Sequence, residues 1–203
     1  MPGFSSVGVR MMVVAAAAAA ICHSRSALAQ PSPDAPSLAS PDVAGIRRIE
    51  RDGLKLEIAP LTRDQTEAFL VGRGMSRIDA GEAAALGCFF RSAIANAATS
   101  PEAPEVRIAL TDWRVDSGTE PAHAPGTRET WDAYWAGENV AGAAAVAFHW
   151  ALFPSQQVFA AADHNWGFLT FMRPPGSSFA LDVVWHEGGT VHRQRLENLT
   201  CAS

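Results

Sequence analysis

Basic charge is scarce in this chain. Of its 203 residues, 16 are Lys or Arg against 21 Asp or Glu, and Lys55 is the only lysine. Nucleic-acid binding rests on a basic footprint that neutralises phosphates, and no such cluster occurs, so nucleic acid is not an expected partner. Reactive motifs are missing too. No Gly-x-Ser-x-Gly elbow presents a nucleophile. No glycine loop cradles phosphate, because Gly72, Arg73, Gly74 follows a helical segment rather than a strand. Cysteine is limited to three residues without a Cys-x-x-Cys pair, which removes the usual spacing for a redox or thiolate metal site. The longest apolar run near the amino end, Met11 to Cys22, covers about 12 residues, short of the roughly 20 that a spanning helix needs. A stable membrane anchor is therefore not expected.

What the amino end does have is the layout of a cleavable secretory signal. Arg10 gives a basic start, Met11 to Cys22 the apolar stretch, and Ala27, Leu28, Ala29 the small residues that signal peptidase reads before a cut at Gln30. Ile21 before Cys22 does not fit a lipid-attachment site. The expectation is a signal peptide over 1–29 and a periplasmic or secreted product. Arg10 and Arg25 leave with the leader, so the 16 basic residues become 14 against 21 acidic ones, a net charge of −7. Gln30, Pro31, Ser32, Pro33 and Pro36 then open a proline and serine tract to about Asp42 that reads as a flexible tether. The remaining 43–203 is long enough for a single domain with a sizeable core.

The mature chain keeps two cysteines, Cys88 and Cys201, in an oxidising compartment. An even pair there predicts a disulfide that fastens the carboxyl end to the middle of the domain. Leu54, Leu56 and Ile58 alternate with polar residues as in a strand with one wet face. Thr62 and Gln65 have the spacing of a capping box, predicting a helix from Arg63 to about Val71. Ala80 to Gly87 is open between helix and loop, with a strand starting at Cys88. Val106 to Val115 reads as a strand, followed by a proline-containing loop. Arg128 to Ala136 reads as one or two helical turns on which Trp131 and Trp135 share a face. Ala143 to Phe153 is apolar at both parities, as in a strand buried on both sides. Trp166 to Met172, Phe179 to His186 and Thr190 to Leu196 read as strands, the last two joined through Gly188 and Gly189, where positive φ costs glycine little. Six or seven strands without regular strand and helix alternation imply a mainly β, antiparallel sandwich with short inserted helices.

Cys88 to Asn96, Asp163 to Phe171, and the turn Pro175, Gly176 leading into Phe179, Ala180, Leu181 carry a resemblance to the immunoglobulin-like, telokin-like domains that bacteria export. It covers roughly residues 88–196. The resemblance implies an immunoglobulin-like sandwich and carries no site residues with it; the helical front end departs from the pattern.

Two sets of residues are candidates for function. The first is aromatic: Trp131, Trp135 and Trp166 as anchors for a partner or sugar ring, with Trp113, Trp150 and Trp185 assigned to the core. The second is imidazole: His149, His164, His186 and His192, with Met172 or a carboxylate, as ligands for copper or zinc. His186 and His192 can share a metal only if the hairpin loop has three residues; a two-residue loop pairs Trp185 with His192 and puts the two imidazoles on opposite faces. No catalytic residue is assigned. The leading expectation is an exported, non-enzymatic accessory or binding domain of the cell envelope that recognises a protein or small ligand. A copper or zinc handler is the second, and a hydrolase with dispersed carboxylates the third.

Overall fold

Alternation and turn chemistry build the front of the domain. Arg47–Arg51 (β1) and Leu54–Pro60 (β2) form a hairpin with Arg51 opposite Leu54. Its two turn residues, Asp52 and Gly53, have φ of 46° and 71°, the pair that a two-residue turn between twisted strands demands. Leu54, Leu56 and Ile58 are buried, as their spacing predicts. Thr62 caps α1 (Arg63–Gly72). Its hydroxyl accepts from the Gln65 amide while the Gln65 side chain accepts from the Thr62 amide, completing the capping box. α2 (Arg77–Leu86) makes the segment up to Gly87 helical, and β3 (Cys88–Asn96) starts at Cys88. This computed structural model describes residues 45–138, 140 and 142–203; the signal peptide and the tether expected from the sequence lie outside the described residues.

Three expectations need correcting. Val106 to Val115 is not one strand but β4 (Val106–Ala109), a 3-10 turn over Leu110–Asp112, and β5 (Arg114–Asp116). Trp113, just after the turn, is in the core as expected, and its indole N–H donates to the Val184 carbonyl at 2.8 Å. α3 (Arg128–Glu138) runs for 11 residues, about three turns rather than one or two. The largest correction concerns Ala143 to Phe153. The expected two-sided strand is a helix, α4 (Gly142–Ala151). Its run of alanines has the best intrinsic helix propensity, and the buried residues Ala144, Phe148 and Ala151 fall at i, i+4 and i+7 on one stripe. Val146 and Trp150 project from the other side.

β6 (Gln156–Phe159), β7 (His164–Phe171), β8 (Ser178–Glu187) and β9 (Thr190–Thr200) bring the described strands to nine. They form two antiparallel sheets. One has the order β1, β2, β3, β7. In the other, β8 pairs with β9 along most of its length and with β5 and β4 in succession, and β6 extends the sheet beyond β4. Glu187 pairs with Thr190 and Trp185 with His192, so the β8–β9 loop has two residues. Only Gly188 there has positive φ, 57°, one glycine sufficing instead of two.

Apolar faces of both sheets share one core, in which Phe179 of β8 meets Phe171 of β7 at 4.7 Å and Phe90 of β3 at 6.1 Å. Cys88 and Cys201 lie in this core and are joined in the expected disulfide, with their Cα atoms 5.4 Å apart. A second core forms on the outer face of the first sheet, where Phe89 and Phe168 pack under Leu70, Ala83, Trp131, Trp135 and Phe148 of the four helices. The architecture is thus mainly β and antiparallel, with a helical layer over part of one sheet.

Candidate recognition surface

The helices cover one end of that outer face and leave the other bare. Strand alternation puts Phe89, Arg91, Ala93 and Ala95 of β3 on the same side as His164, Trp166, Phe168 and Thr170 of β7. Phe89, Phe168 and Thr170 are buried under the helical layer, whereas Arg91, Ala93, His164 and Trp166 are open. Trp166 is 68% exposed, as a recognition role needs. It lines a shallow depression of about 350 Å³ with Glu57, Ala59, Arg91 and Ala93. Glu57 is held by Arg48 at 2.8 Å across β1 and β2.

Trp131 and Trp135 do not belong to this surface. They do share a helical face, stacked at 5.4 Å, but that face is turned inward and the residues are 0% and 3% exposed. Trp131 donates its indole N–H to Thr170 Oγ1 at 2.8 Å, and that hydroxyl donates onward to the Gly126 carbonyl at 3.0 Å. Both are packing residues of the second core, contrary to the expectation that they anchor a partner. The exposed tryptophan on the helical layer is Trp150, which the two-sided strand reading assigned to the core. At 71% it is the more open of the two exposed indoles.

Trp150 sits in a small polar setting. It lines a depression of about 380 Å³ with Asp132, Ala145, Val146 and His149. The guanidinium of Arg128 lies over its ring at 5.4 Å and donates twice to the Leu152 carbonyl, at 3.2 and 2.8 Å. Such a stack fixes the indole through cation–π attraction. Burial holds the Arg128 guanidinium below its ordinary pKa. Next to it, His149 Nδ1 faces both oxygens of Asp132 at 2.9 and 3.0 Å. A carboxylate accepts, so Nδ1 carries the proton and Nε2 is left to meet a ligand or solvent. Glu129 accepts from the Ser155 hydroxyl at 2.6 Å, and this bond is the main reason its carboxyl lies below the usual range.

A backbone link ties the end of the helical layer to β7. Leu152, just past α4, forms a parallel bridge with Phe168, and the Phe153 amide donates to the Phe168 carbonyl at 2.9 Å. Gly167 permits the approach: a Cβ there would stand 2.8 Å from the Phe153 nitrogen.

The four histidines are not assembled. His149 is bound to Asp132 on α4, and His164 opens β7 opposite Ala95. His186 pairs with Val191 and His192 with Trp185, so the two-residue loop sends the two imidazoles to opposite faces. His192 stacks on Trp185 at 5.4 Å, with Nδ1 3.4 Å from Asp52 and Nε2 3.5 Å from Glu187. The two ring nitrogens thus face different carboxylates. No group of three or more potential metal ligands occurs among the described residues.

Fold and surface define a two-sheet antiparallel domain that shows solvent two tryptophans beside a partial helical layer. No protein-family model, curated protein or solved structure matches the chain.

Proposed function

We propose that this protein is an exported, non-enzymatic recognition domain of the cell envelope, with an immunoglobulin-like sandwich as its body and the Trp150 and Trp166 surface as its working face. The leader-like segment at 1–29 and a disulfide between Cys88 and Cys201 support export, since such bonds persist in oxidising compartments. The observation that carries the reading is the exposure of two tryptophans of the six, 71% and 68%. Leaving two large indoles in water forgoes their burial in a core, and exposed apolar surface of this kind marks a binding surface.

The test compares wild type with the Trp150→Ala, Trp166→Ala double variant as immobilised bait for envelope extracts, both for proteins and for soluble ligands. Recovery of a defined component by wild type that drops at least ten-fold with the double variant is the expected result. Equal recovery by both removes the surface from function.

A further inference from the structure

Two other features of the molecule were the closest alternatives. The groove of about 550 Å³ between α1 and α2 is lined by Asp64, Glu67, Val71 and Arg77, and nothing in its make-up selects an occupant. Arg195 binds Asp116, Asp182 and Glu197 at 2.7 to 2.9 Å and thereby satisfies its own cluster. The tryptophan surface goes further.

Its two halves have the same chemistry. Each has an exposed indole, a floor of small apolar groups, and a cation beside a carboxylate. At Trp166 these are Ala59 and Ala93 with Arg91 and Glu57. At Trp150 they are Ala145 and Val146 with Arg128, Asp132 and His149. Neither setting carries more than one charge in excess: Arg48 and Arg91 stand with Glu57 at one, and Arg128 with Asp132 at the other. The floors are short apolar side chains, and neither depression encloses the apolar anchor through which a protein partner gains most of its affinity. Donors and acceptors side by side around an aromatic platform suit a ligand that is itself apolar on its faces and hydroxylated on its edge.

We infer that this surface binds an uncharged glycan chain, with sugar rings laid on Trp150 and on Trp166, Arg91 donating to hydroxyl oxygens, and His149 Nε2, Asp132 and Glu57 accepting from hydroxyl protons. The inference rests on the recognition reading above and gives it a ligand class. The free face of the Trp150 ring, opposite the Arg128 stack, is the one that receives the sugar.

The experiment is isothermal titration of the purified protein with three linear hexasaccharides: β-1,4-linked glucose, α-1,4-linked glucose and β-1,4-linked N-acetylglucosamine. Saturable binding of at least one is expected, weakened ten-fold or more in Trp150→Ala and in Trp166→Ala, and more than either in the double variant. Circular dichroism checks each fold; if an alanine variant fails the check, its phenylalanine counterpart is used and an intermediate weakening is expected. No binding of any hexasaccharide up to about 10 mM, the weak limit of specific recognition, overturns the inference. So does binding that the double variant retains. If no sugar binds while a protein from envelope extract is captured in a manner dependent on Trp150 and Trp166, the glycan falls and the recognition surface stands. If neither occurs, both fall.

Discussion

Replacing Cys88 and Cys201 by alanine is expected to cost the domain about 5 kcal/mol. The bond closes a loop across a sequence separation of 113 residues, and the chain-entropy relation gives about 4.8 kcal/mol for a loop of that length. Both sulfurs are buried, so the gaps left by alanine add roughly 1 kcal/mol, partly offset by whatever order the open unfolded chain retains. Little of the loss is local. The Cys201 amide donates to the Ser177 carbonyl and the Gly176 amide to the Cys201 carbonyl, each at 2.9 Å, and Leu199 remains paired with Phe179. The carboxyl end therefore stays docked without the sulfur bond, and the loss comes from freeing the unfolded chain. Guanidinium titration followed by tryptophan fluorescence measures this. The double variant should retain native near-ultraviolet dichroism in water, unfold at a clearly lower midpoint, and show a somewhat steeper dependence on denaturant, because an open unfolded chain exposes more surface than a looped one. In a thermal scan the same loss lowers Tm by roughly 10–20 °C. A loss under about 1.5 kcal/mol with an unchanged slope would refute the reasoning, since the unfolded chain would not then be held by the bond.

Two further outcomes follow from the described contacts. Thr170→Val keeps shape but removes the acceptor of Trp131 Nε1 and the donor to the Gly126 carbonyl, all in a buried site. It should cost about 2–3 kcal/mol by urea titration, while Thr170→Ser keeps most of the stability. Acid should weaken the fold through Asp52 and Asp116. Both carboxyls lie below their ordinary value of 3.8, Asp52 chiefly through the bond from Arg51 and Asp116 chiefly through the bond from Arg195. A folded pKa below the unfolded one means that the contribution is full above the unfolded value and is lost as pH falls through the folded one. Thermal scans from about pH 5 down to about pH 2 should show a smaller decline for the Asp52→Asn, Asp116→Asn variant than for wild type; parallel declines would remove these pairs from the acid response.

The parts of the fold legible from sequence were those fixed by neighbours along the chain. Thr62 and Gln65 are three residues apart, so the helix start needs no tertiary information. Gly188 and Gly189 likewise mark the hairpin, but the sequence left its loop open between two residues and three, and the observed pairing decides the opposition of His186 and His192. The disulfide was legible because two cysteines offer one pairing. The break at Leu110–Asp112 and the helix α4 were not, for different reasons. The 3-10 turn lets β4 and β5 follow one after the other on β8, a tertiary arrangement with no local signal. In α4, Ala144 and Phe148 were four apart and pointed to a helix, yet Val146, Phe148, Trp150 and Leu152 also fit a period of two. The ambiguity arose because Val146 and Trp150 are apolar on a wet face. An alternation argument assumes that apolar means buried, and it fails where apolar residues are kept exposed.

That failure bears directly on the site. The same assumption that made α4 a strand put Trp150 in the core, and Trp131 and Trp135 were expected to be exposed because their short amphipathic segment is flanked by loops. A helix packed on a sheet buries its own regular stripe, which on α3 is the one holding Trp131 and Trp135. The proposed recognition surface draws on positions off that stripe and on the sheet surface that four short helices do not reach. Trp150 occupies the first kind of position and Trp166 the second. Leu152 crosses from the helical layer to bridge Phe168 at the β7 edge, and Gly167 leaves room for that approach. The exposure of the two indoles is thus a consequence of incomplete layering: the shared core of the two sheets supplies stability, the helices supply a second core, and Trp150 and Trp166 are left to water where that second layer ends.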